Sequence, residues 1–298
     1  MQMKTKGYLC GILASATWGT VFFVGRIVMS GGTVNPLVLA FWRCFFASLF
    51  LLFILGRRVT KVVPAIKESR VSFLFLSLTG IFLMNVLILT SLMHTTATSS
   101  SILMNANPVF ILVLAAIFLK EKVTSCKILA VLLGFAGCVM VINGTTDGPA
   151  SVGGNLLLGN FLAMGAALCW ALYTVAGGNP TRKYGAVLTT FITLTAGMFL
   201  LMAVMLAGRI NFWNVNPSVI LAGAYLGIGP TGIGFTLWYN ALKYIEAGEL
   251  GIFQYLASVV TAVLAVAFLK ESLTIPMVAG MVLIFLSVYL PGFRSAAV

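Results

Sequence analysis

The sequence predicts an all-α, polytopic membrane protein in which ten transmembrane helices form two inverted five-helix repeats with both termini cytoplasmic. Three observations predict this fold class. The 298-residue chain is 60% apolar and only 8% charged, whereas a soluble globular protein carries roughly 25% charged residues. Ten apolar segments are long enough, or nearly so, to span a bilayer. The string Phe-Leu-Lys-Glu ends two of them, at Phe118–Glu121 and, 150 positions later, at Phe268–Glu271.

The predicted spans are apolar runs separated by short connections. A spanning helix needs roughly 17–25 predominantly apolar residues, and turn-forming pairs such as Asn35-Pro36 and Asn143-Gly144 interrupt the apolar pattern between runs. In chain order, segments 1 to 10 are residues 7–30, 36–55, 71–91, 97–119, 125–142, 155–177, 185–207, 217–240, 248–269 and 275–291.

The basic residues orient these segments, because cytoplasmic loops of membrane proteins are enriched in Lys and Arg. With the N-terminus inside, 14 of the 18 Lys and Arg residues lie in cytoplasmic segments, while Arg26, Arg209 and Lys270 lie outside and Arg43 lies within segment 2. The net charge of +12 is therefore explained by membrane topology. Nucleic acid is not an expected partner, because the basic residues form short clusters between apolar runs and not a basic face.

The repeat divides the chain into residues 1–146 and 147–298, each with five segments. An odd number of spans turns the second copy upside down in the membrane. Trp18 also matches Trp170, and Ala97 matches Ala247. Inverted repeats are the architecture of many secondary transporters, whose substrate sites lie near the midplane between the halves. The alternative is a duplication that served packing alone.

Motifs of several other functional classes are absent from the sequence. It contains no G-x-x-x-x-G-K-[ST] phosphate loop and no H-E-x-x-H zinc motif. The five cysteines include no C-x-x-C pair, so neither a metal site nor a disulfide framework is indicated. No enzymatic activity, metal or cofactor is therefore expected.

Polar side chains within the apolar segments are the candidate substrate contacts, because polar groups are costly in hydrocarbon. In segment 4, Ser101, Asn105 and Pro108 share one helix face. Pro108 also frees a backbone carbonyl that needs a partner at membrane depth. The matching region of segment 9 contains Gln254 and Tyr255, which are candidates for the same reason.

Two tryptophans are predicted to lie near the middle of the membrane. Trp18 of segment 1 is about 16 Å from the start of its helix at 1.5 Å per residue, and Trp170 of segment 6 is similarly deep, which is too deep for an interfacial aromatic belt. Tyr173 shares a face with Trp170, and Asn85 lies near the middle of segment 3. For Asn85 and Asn105, a hydrogen bond between helices remains the alternative to a substrate contact.

Three tryptophans nearer to segment ends, Trp42, Trp213 and Trp238, are predicted to belong to the interfacial belt. In segment 8, Gly229 and Pro230 lie in a run with three further glycines, which predicts a helix break. This break either lines a cavity and takes part in gating or allows close helix packing.

Two charged residues have distinct predicted roles. Glu249, at the cytoplasmic end of segment 9, is the candidate for coupling transport to a proton. Arg43 lies roughly 10 Å deep in segment 2. It can reach outwards to the interface, neutralise free carbonyls or bind an anion, and a structural role is favoured because a lone intramembrane Arg normally finds partners in the protein.

The ten segments, the two halves and several local strings resemble the EamA-type branch of the drug/metabolite transporter superfamily. The strings are Asn107-Pro108-Val109, Phe118–Thr124, Phe268–Thr274, Trp18-Gly19 and Asn35-Pro36, the last of these followed by Arg43. The resemblance covers essentially the whole chain. It implies a bacterial inner-membrane carrier that exports small metabolites, often amino acids, through a cavity lined by helices 1, 3, 4, 6, 8 and 9. Ser258 replaces a proline of the family pattern, which predicts that segment 9 is straighter than segment 4.

The function expected from these features is secondary-active or facilitative export of a small amphipathic metabolite, with an amino acid favoured, by alternating access. The expected partners are the substrate, the lipid bilayer and a proton as coupling ion, and the chain is expected to be a monomer or homodimer. We expect Trp170→Ala to abolish transport and leave folding intact. The alternative from another class is a non-transporting membrane scaffold or lipid-handling subunit.

Overall fold

The computed structural model of the chain is helical, and no β-strand occurs in the residues that it describes, namely 2–29, 35–95, 97–143, 155–213, 215–269 and 273–295. The first half contains α1 (Gln2–Met29), α2 (Pro36–Leu55), α3 (Val62–Leu76), α4 (Met84–Ser91), α5 (Ala97–Met104), α6 (Asn107–Phe118) and α7 (Ser125–Asn143). The second half contains α8 (Leu156–Tyr184), α9 (Ala186–Ala207), α10 (Pro217–Leu226), α11 (Gly234–Ala241), α12 (Ala247–Phe253), α13 (Leu256–Leu269) and α14 (Ile275–Ser295).

The helix boundaries follow the turn chemistry of the sequence. The side chain of Asn35 caps α2 by accepting a hydrogen bond from the N–H of Leu37 at 2.9 Å, and Pro36 occupies the first turn, where its missing N–H costs nothing. Gly56 ends α2 with a φ of 48°, a conformation that glycine adopts without strain. Helix α2 therefore has the bounds predicted for segment 2.

The described residues include seven helical stretches that are long and apolar enough to cross a membrane. The longest, Pro36–Ser91, contains predicted segments 2 and 3 and the basic connection between them. That connection is itself helical, with a 3₁₀ turn at Gly56–Lys61 and a kink at Ser69. The chain is therefore a polytopic helical membrane protein, whereas the count of ten crossings stays a prediction.

The order of the elements repeats along the chain. A π-helical turn at Ser77–Leu83 precedes α4, and a second one at Gly227–Ile233 precedes α11, 150 positions later. The following helix pairs, α5–α6 and α12–α13, are each interrupted by two residues. The sequence repeat thus corresponds to a repeated succession of helices, and the inverted orientation of the two copies stays a prediction.

The two halves contact each other reciprocally. Helix α1 packs against α11 and α13, and its counterpart α8 packs against α4 and α6. In the same way, α2 packs against the π-helical turn of the second half, and α9 packs against that of the first half. Reciprocal contacts of this kind arise between like units related by a two-fold axis. Helices from both halves therefore meet at the centre of the molecule.

The expectation that segment 9 is straighter than segment 4 is wrong. Helix α12 ends at Phe253 and α13 begins at Leu256. The N–H groups of Gln254 and Tyr255 donate to carbonyls three residues earlier, at 3.1 and 3.3 Å, which tightens the chain into a 3₁₀-like turn. The phenol of Tyr255 donates to the carbonyl of Val131 in α7 at 3.2 Å, so a side-chain anchor to a neighbouring helix accompanies this break in place of a proline.

Candidate functional site

Five aromatic side chains pack together where α1, α8 and α11 meet, and we call them the aromatic cluster. Its members are Trp18 from α1, Trp170 and Tyr173 from α8, and Phe235 and Trp238 from α11. The ring centroids of Trp18 and Trp170 are 5.1 Å apart in an edge-to-face arrangement, a favourable geometry for aromatic pairs. All five side chains are buried. Because Trp18 belongs to the first half and the other four to the second, the cluster joins the two halves.

Each indole N–H of the aromatic cluster has a hydrogen-bond partner. Trp18 Nε1 donates to the carbonyl of Pro230 at 2.9 Å, and Trp170 Nε1 donates to Gln254 Oε1 at 2.7 Å. Trp238 Nε1 donates to Thr174 Oγ1 at 3.1 Å. Because buried donors without partners are costly, these bonds hold the three rings in defined orientations. Two of them reach residues predicted from the sequence as site residues, Pro230 and Gln254.

Half-buried amide side chains lie on the helices next to the cluster. Asn85, on α4, donates from Nδ2 to the carbonyl of Ile81 at 2.6 Å. Asn105, in the break between α5 and α6, donates from Nδ2 to the carbonyl of Ser101 at 2.9 Å. Their Nδ2 groups are therefore used within the same helix, and among the described residues no strong donor occupies either Oδ1. The thiol of Cys138 lies 3.9 Å from Asn105 Oδ1, which is a long contact for a weak donor.

The structure brings some predicted site residues together and separates others. Trp170 contacts three other predicted site residues, namely Trp18, Tyr173 and Gln254. Tyr255 lies apart from them, because its ring packs over Gly134 of α7, where an added Cβ would be 2.2 Å from Tyr255 Cδ2. Tyr255 thus packs against α7 and not among the tryptophans.

The predicted break residues occupy two different environments. Pro108 is buried in the first turn of α6. Pro230 is buried in the π-helical turn Gly227–Ile233, so the irregular helix predicted there is confirmed. An added Cβ at Gly227 would lie 2.6 Å from the carbonyl oxygen of Arg43, whereas one at Gly229 would meet nothing within 4 Å. Close packing therefore explains Gly227 and does not explain Gly229.

Sequence reasoning missed two members of the aromatic cluster. The prediction that Trp238 belongs to the interfacial belt is wrong, because its side chain is fully buried between α1 and α8. Phe235 was not singled out, although it lies one helical turn before Trp238 on the same face. That i, i+3 spacing is the signal that could have identified the pair. Trp42 is also buried, and its indole donates to the carbonyl of Phe212 at 3.1 Å.

Two glycines allow rings of the site to contact helix backbone directly. A Cβ at Gly80, in the first π-helical turn, would lie 2.0 Å from Tyr173 Cδ2. A Cβ at Gly177, in α8, would lie 2.3 Å from Tyr239 Cε1. Tyr239 in turn donates from its phenol to the carbonyl of Tyr173 at 3.2 Å. The absence of side chains at these glycines therefore lets Tyr173 of the cluster, and Tyr239 next to it, pack directly against helix backbone.

A cleft of about 940 Å³ opens at the predicted cytoplasmic end, and Glu249 lines it. The Glu249 carboxylate is buried and accepts a hydrogen bond from the phenol of Tyr8. Beside it, the carboxylate of Glu121 accepts hydrogen bonds from the N–H groups of Ala247 and Gly248 at 2.7 and 3.0 Å. The first Phe-Leu-Lys-Glu copy thus caps the start of α12 in the other half. Lys270 and Glu271 of the second copy lie outside the described residues.

An exposed ion pair also links the halves at this end. Lys183 Nζ lies 2.6 Å from Glu68 Oε1, and the phenol of Tyr184 donates to Glu68 Oε2 at 2.8 Å. The hydrogen bond from Lys183, followed by that from Tyr184, lowers the pKa of Glu68. Because both partners are exposed to solvent, the pair contributes little to stability.

The described residues contain no group of three or more His, Cys, Asp or Glu side chains that could hold a metal ion. The candidate site thus combines five buried aromatic rings with half-buried amide side chains on the adjoining helices. The side chains of the candidate site come from both halves of the chain.

Comparison with known proteins identifies the family of the chain. The profile of the EamA-like transporter family matches residues 5–143 and again residues 157–292. An uncharacterized transporter of Archaeoglobus fulgidus is 28% identical over 90% of this chain and 91% of its own length. The uncharacterized transporter YyaM of Bacillus subtilis is 27% identical over 90% of this chain and 91% of its own.

A plant protein and a solved structure are also similar to the chain. A WAT1-related protein of Arabidopsis thaliana, At1g43650, is 26% identical over 97% of this chain and 91% of its own. One crystal structure superposes with a TM-score of 0.84 at 21% identity, over 98% of each chain. The family match covers nearly the whole sequence in two copies. The chain therefore belongs to the EamA-like transporter family.

Proposed function

We propose that this transporter exports a small amphipathic metabolite, with an amino acid as the favoured substrate, by alternating access across the inner (plasma) membrane. The observation that carries the proposal is the aromatic cluster. Trp18 from the first half and Trp170 from the second half are in edge-to-face contact at 5.1 Å. Both lie on helices that pack against the opposite half. A substrate held there would contact both repeats at once, as alternating access requires.

The chemistry of the site supports an amphipathic substrate. The faces of Trp18, Trp170 and Tyr173 suit an apolar side chain, and the half-buried amides of Asn85, Asn105 and Gln254 suit the polar ends. Ser101 lies one turn before Asn105 and adds a hydroxyl. Few charged groups lie within the predicted spans, which fits a substrate of low net charge. The buried Tyr255 would support the site by anchoring the break in segment 9 to α7.

The irregular helices support a rocking motion between two inverted halves, residues 1–146 and 147–298. Each half contains a π-helical turn and an interrupted helix at matching positions. Pro108, Gly229 and Pro230 lie at these irregular points, where backbone angles can change without breaking a regular hydrogen-bond ladder. We therefore assign gating to these positions.

A proton is the coupling ion that the site favours. Glu249 is buried in the cleft at the predicted cytoplasmic end, and its carboxylate is held by the phenol of Tyr8. A buried carboxylate between two helices of opposite halves can take up and release a proton as the cleft opens and closes. Glu249→Gln would then abolish stimulation of export by a pH gradient and leave exchange of substrate intact.

Uptake into proteoliposomes tests the proposal. The purified chain would be reconstituted, and time-dependent accumulation of each radiolabelled proteinogenic amino acid would be measured against protein-free liposomes. We expect saturable uptake of at least one apolar amino acid, competed by the same unlabelled compound. No protein-dependent uptake across the panel would contradict the proposal and favour a scaffold or a lipid-handling subunit.

A further inference from the structure

Arg43 is the one basic residue that the predicted topology places inside a membrane span. It lies on α2 on the face that packs against the π-helical turn Gly227–Ile233. Its guanidinium makes two hydrogen bonds in the described part of the chain, from Nε and Nη2 to Thr231 Oγ1 at 3.4 and 3.3 Å. Both bonds are long, and both end on the same neutral hydroxyl. The positive charge is therefore not balanced by Thr231.

The carboxylates of the chain do not supply a counter-charge in its described part. The chain has six acidic residues. Glu68, Glu121, Glu246 and Glu249 lie at the predicted cytoplasmic end, whereas Arg43 lies in the outer half of its span. The remaining two, Asp147 and Glu271, are outside the described residues. A charged side chain at membrane depth is costly unless it is paired. Among the described residues no carboxylate pairs with Arg43, and a bound anion would supply the missing counter-charge.

The surroundings of Arg43 connect it to the aromatic cluster. Thr231 donates its own hydroxyl proton to the carbonyl of Leu226 at 2.8 Å, which orients its oxygen to accept from Arg43. Thr231 follows Pro230, whose carbonyl accepts the indole N–H of Trp18 at 2.9 Å. One short stretch of backbone thus contacts the guanidinium on one side and a ring of the cluster on the other.

We infer that Arg43 is a specificity-determining residue that binds the carboxylate of the substrate while the aromatic cluster holds its apolar part. This inference rests on the proposed function and narrows it to compounds that carry a carboxylate next to an apolar group. The guanidinium presents five N–H donors in a planar fork that matches a carboxylate, and the bonds to Thr231 leave the other donors of this fork for a ligand. Thr231 acts as a positioning residue for Arg43.

A binding comparison of paired ligands tests the inference. Affinity would be measured in detergent-purified protein for L-leucine, L-phenylalanine and L-tryptophan, and for isoamylamine, phenethylamine and tryptamine, which lack only the carboxylate. In the wild type, we expect each amino acid to bind at least ten-fold more tightly than its amine. We expect Arg43→Gln to lower affinity for the amino acids at least ten-fold and to leave affinity for the amines unchanged.

Two further variants separate charge from geometry. Arg43→Lys keeps the charge but not the planar fork, so an intermediate loss is expected. Arg57→Gln removes an exposed basic residue from the 3₁₀ turn that follows α2 and is the control, expected to behave as the wild type. If Arg43→Gln does not fold, the comparison of acid and amine in the wild type still decides, because equal affinities overturn the inference.

The outcomes also distinguish the inference from the proposed function. Wild-type protein that binds no amino acid of the set and shows no uptake across the full panel contradicts both. Wild-type protein that transports amino acids, with Arg43→Gln lowering affinity for acid and amine alike or for neither, overturns only the inference. Loss of co-purified phosphatidylglycerol in Arg43→Gln, with unchanged affinity for amino acids, would instead assign Arg43 to a lipid phosphate.

Discussion

Trp170 makes both kinds of contact that the proposed site uses. Its ring packs against Trp18 and Tyr173, and its N–H reaches Gln254 in the helix break of segment 9. The ring contributes to the core of the fold, whereas the N–H connects the core to a half-buried amide. These two contributions can be separated by substitution, because phenylalanine keeps most of the ring and removes the donor.

We predict that Trp170→Phe lowers uptake at least ten-fold while the purified protein keeps a melting temperature close to that of the wild type. Trp170→Ala is expected to unfold or destabilise the protein, because truncating a buried tryptophan costs about 3–5 kcal/mol. This revises the expectation that alanine at position 170 leaves folding intact. Trp213→Phe, at an exposed ring, is the control. Full uptake by Trp170→Phe would remove Trp170 from the site.

For the candidate site, the most useful information in the sequence was how far each tryptophan lies from the end of its predicted span. This distance indicates that Trp18 and Trp170 are too deep for an interfacial belt, and both lie in the aromatic cluster. It failed for Trp238, because distance from a segment end says nothing about which neighbouring helices cover that end. The orientation of Tyr255 towards α7 was also not predictable, since it depends on the close approach that Gly134 allows.

At the level of elements, close helix contact in this fold depends on particular glycines. Gly177 and Gly178 are adjacent in α8, yet their environments differ. A Cβ at Gly177 would lie 2.3 Å from Tyr239 Cε1, whereas one at Gly178 would meet nothing within 4 Å. The pair therefore separates the packing requirement from the intrinsic helix propensity of glycine.

We predict that Gly177→Ala destabilises the protein, because the added methyl group displaces the buried ring of Tyr239 at a cost of about 1–3 kcal/mol. Gly178→Ala is expected to be neutral or to stabilise the helix by up to about 1 kcal/mol. Thermal unfolding of the two purified variants in the same detergent measures the difference. Equal melting temperatures would show that α8 and α11 do not approach as closely as the structure has them.

The Phe-Leu-Lys-Glu motif has an assigned role in its first copy. Glu121 lies between helices of the first half, yet its carboxylate caps α12 of the second half. Lys127 forms an ion pair with Glu246 next to this cap. The motif therefore connects the halves at the predicted cytoplasmic end, which explains why a carboxylate follows the last apolar residues of segment 4.

We predict that Glu121→Ala lowers stability by about 0.5–2 kcal/mol, the usual cost of losing an N-cap. The amides of α12 are expected to exchange hydrogen faster, because the first N–H groups of that helix lose their acceptor. Lys122→Ala, at the next exposed position, is the control and is expected to leave exchange unchanged. Unaltered exchange in α12 of Glu121→Ala would contradict the cap.

Helix positions were predictable where apolar length and turn chemistry agree, as in α2. The irregular points were predictable only in part. The glycines and Pro230 of segment 8 indicated a break, but the matching π-helical turn in segment 3 contains a single glycine, Gly80. Helix α9 and Tyr173 pack against that turn, and a local sequence pattern contains no information on such tertiary contacts.

At the scale of the whole molecule, the reciprocal packing of the halves is the main organising feature. The helices α1 and α2 pack on the second half, and α8 and α9 pack on the first. The distribution of basic residues supports the proposed orientation in the membrane, because most of them fall on the cytoplasmic side when the two halves are inverted. An inverted pair of units around a shared site can open to either side of the membrane by equivalent motions.

We predict opposite sidedness for the two copies of the repeated motif. In a variant without native cysteines, Lys120→Cys should react with a membrane-impermeant maleimide only after intact cells are permeabilised. Lys270→Cys should react in intact cells without permeabilisation. Labelling of both from the same side would contradict the inverted repeat, whatever the transport activity.

The central claim is that one site between the halves is reached alternately from the two sides of the membrane. Ser101→Cys, a nearly isosteric change at a half-buried position, measures this most directly in a variant without native cysteines. We predict labelling by an impermeant maleimide in right-side-out and in inside-out vesicles, with a transported amino acid altering the two rates in opposite directions. Labelling from one side only, with or without substrate, would contradict alternating access at this site.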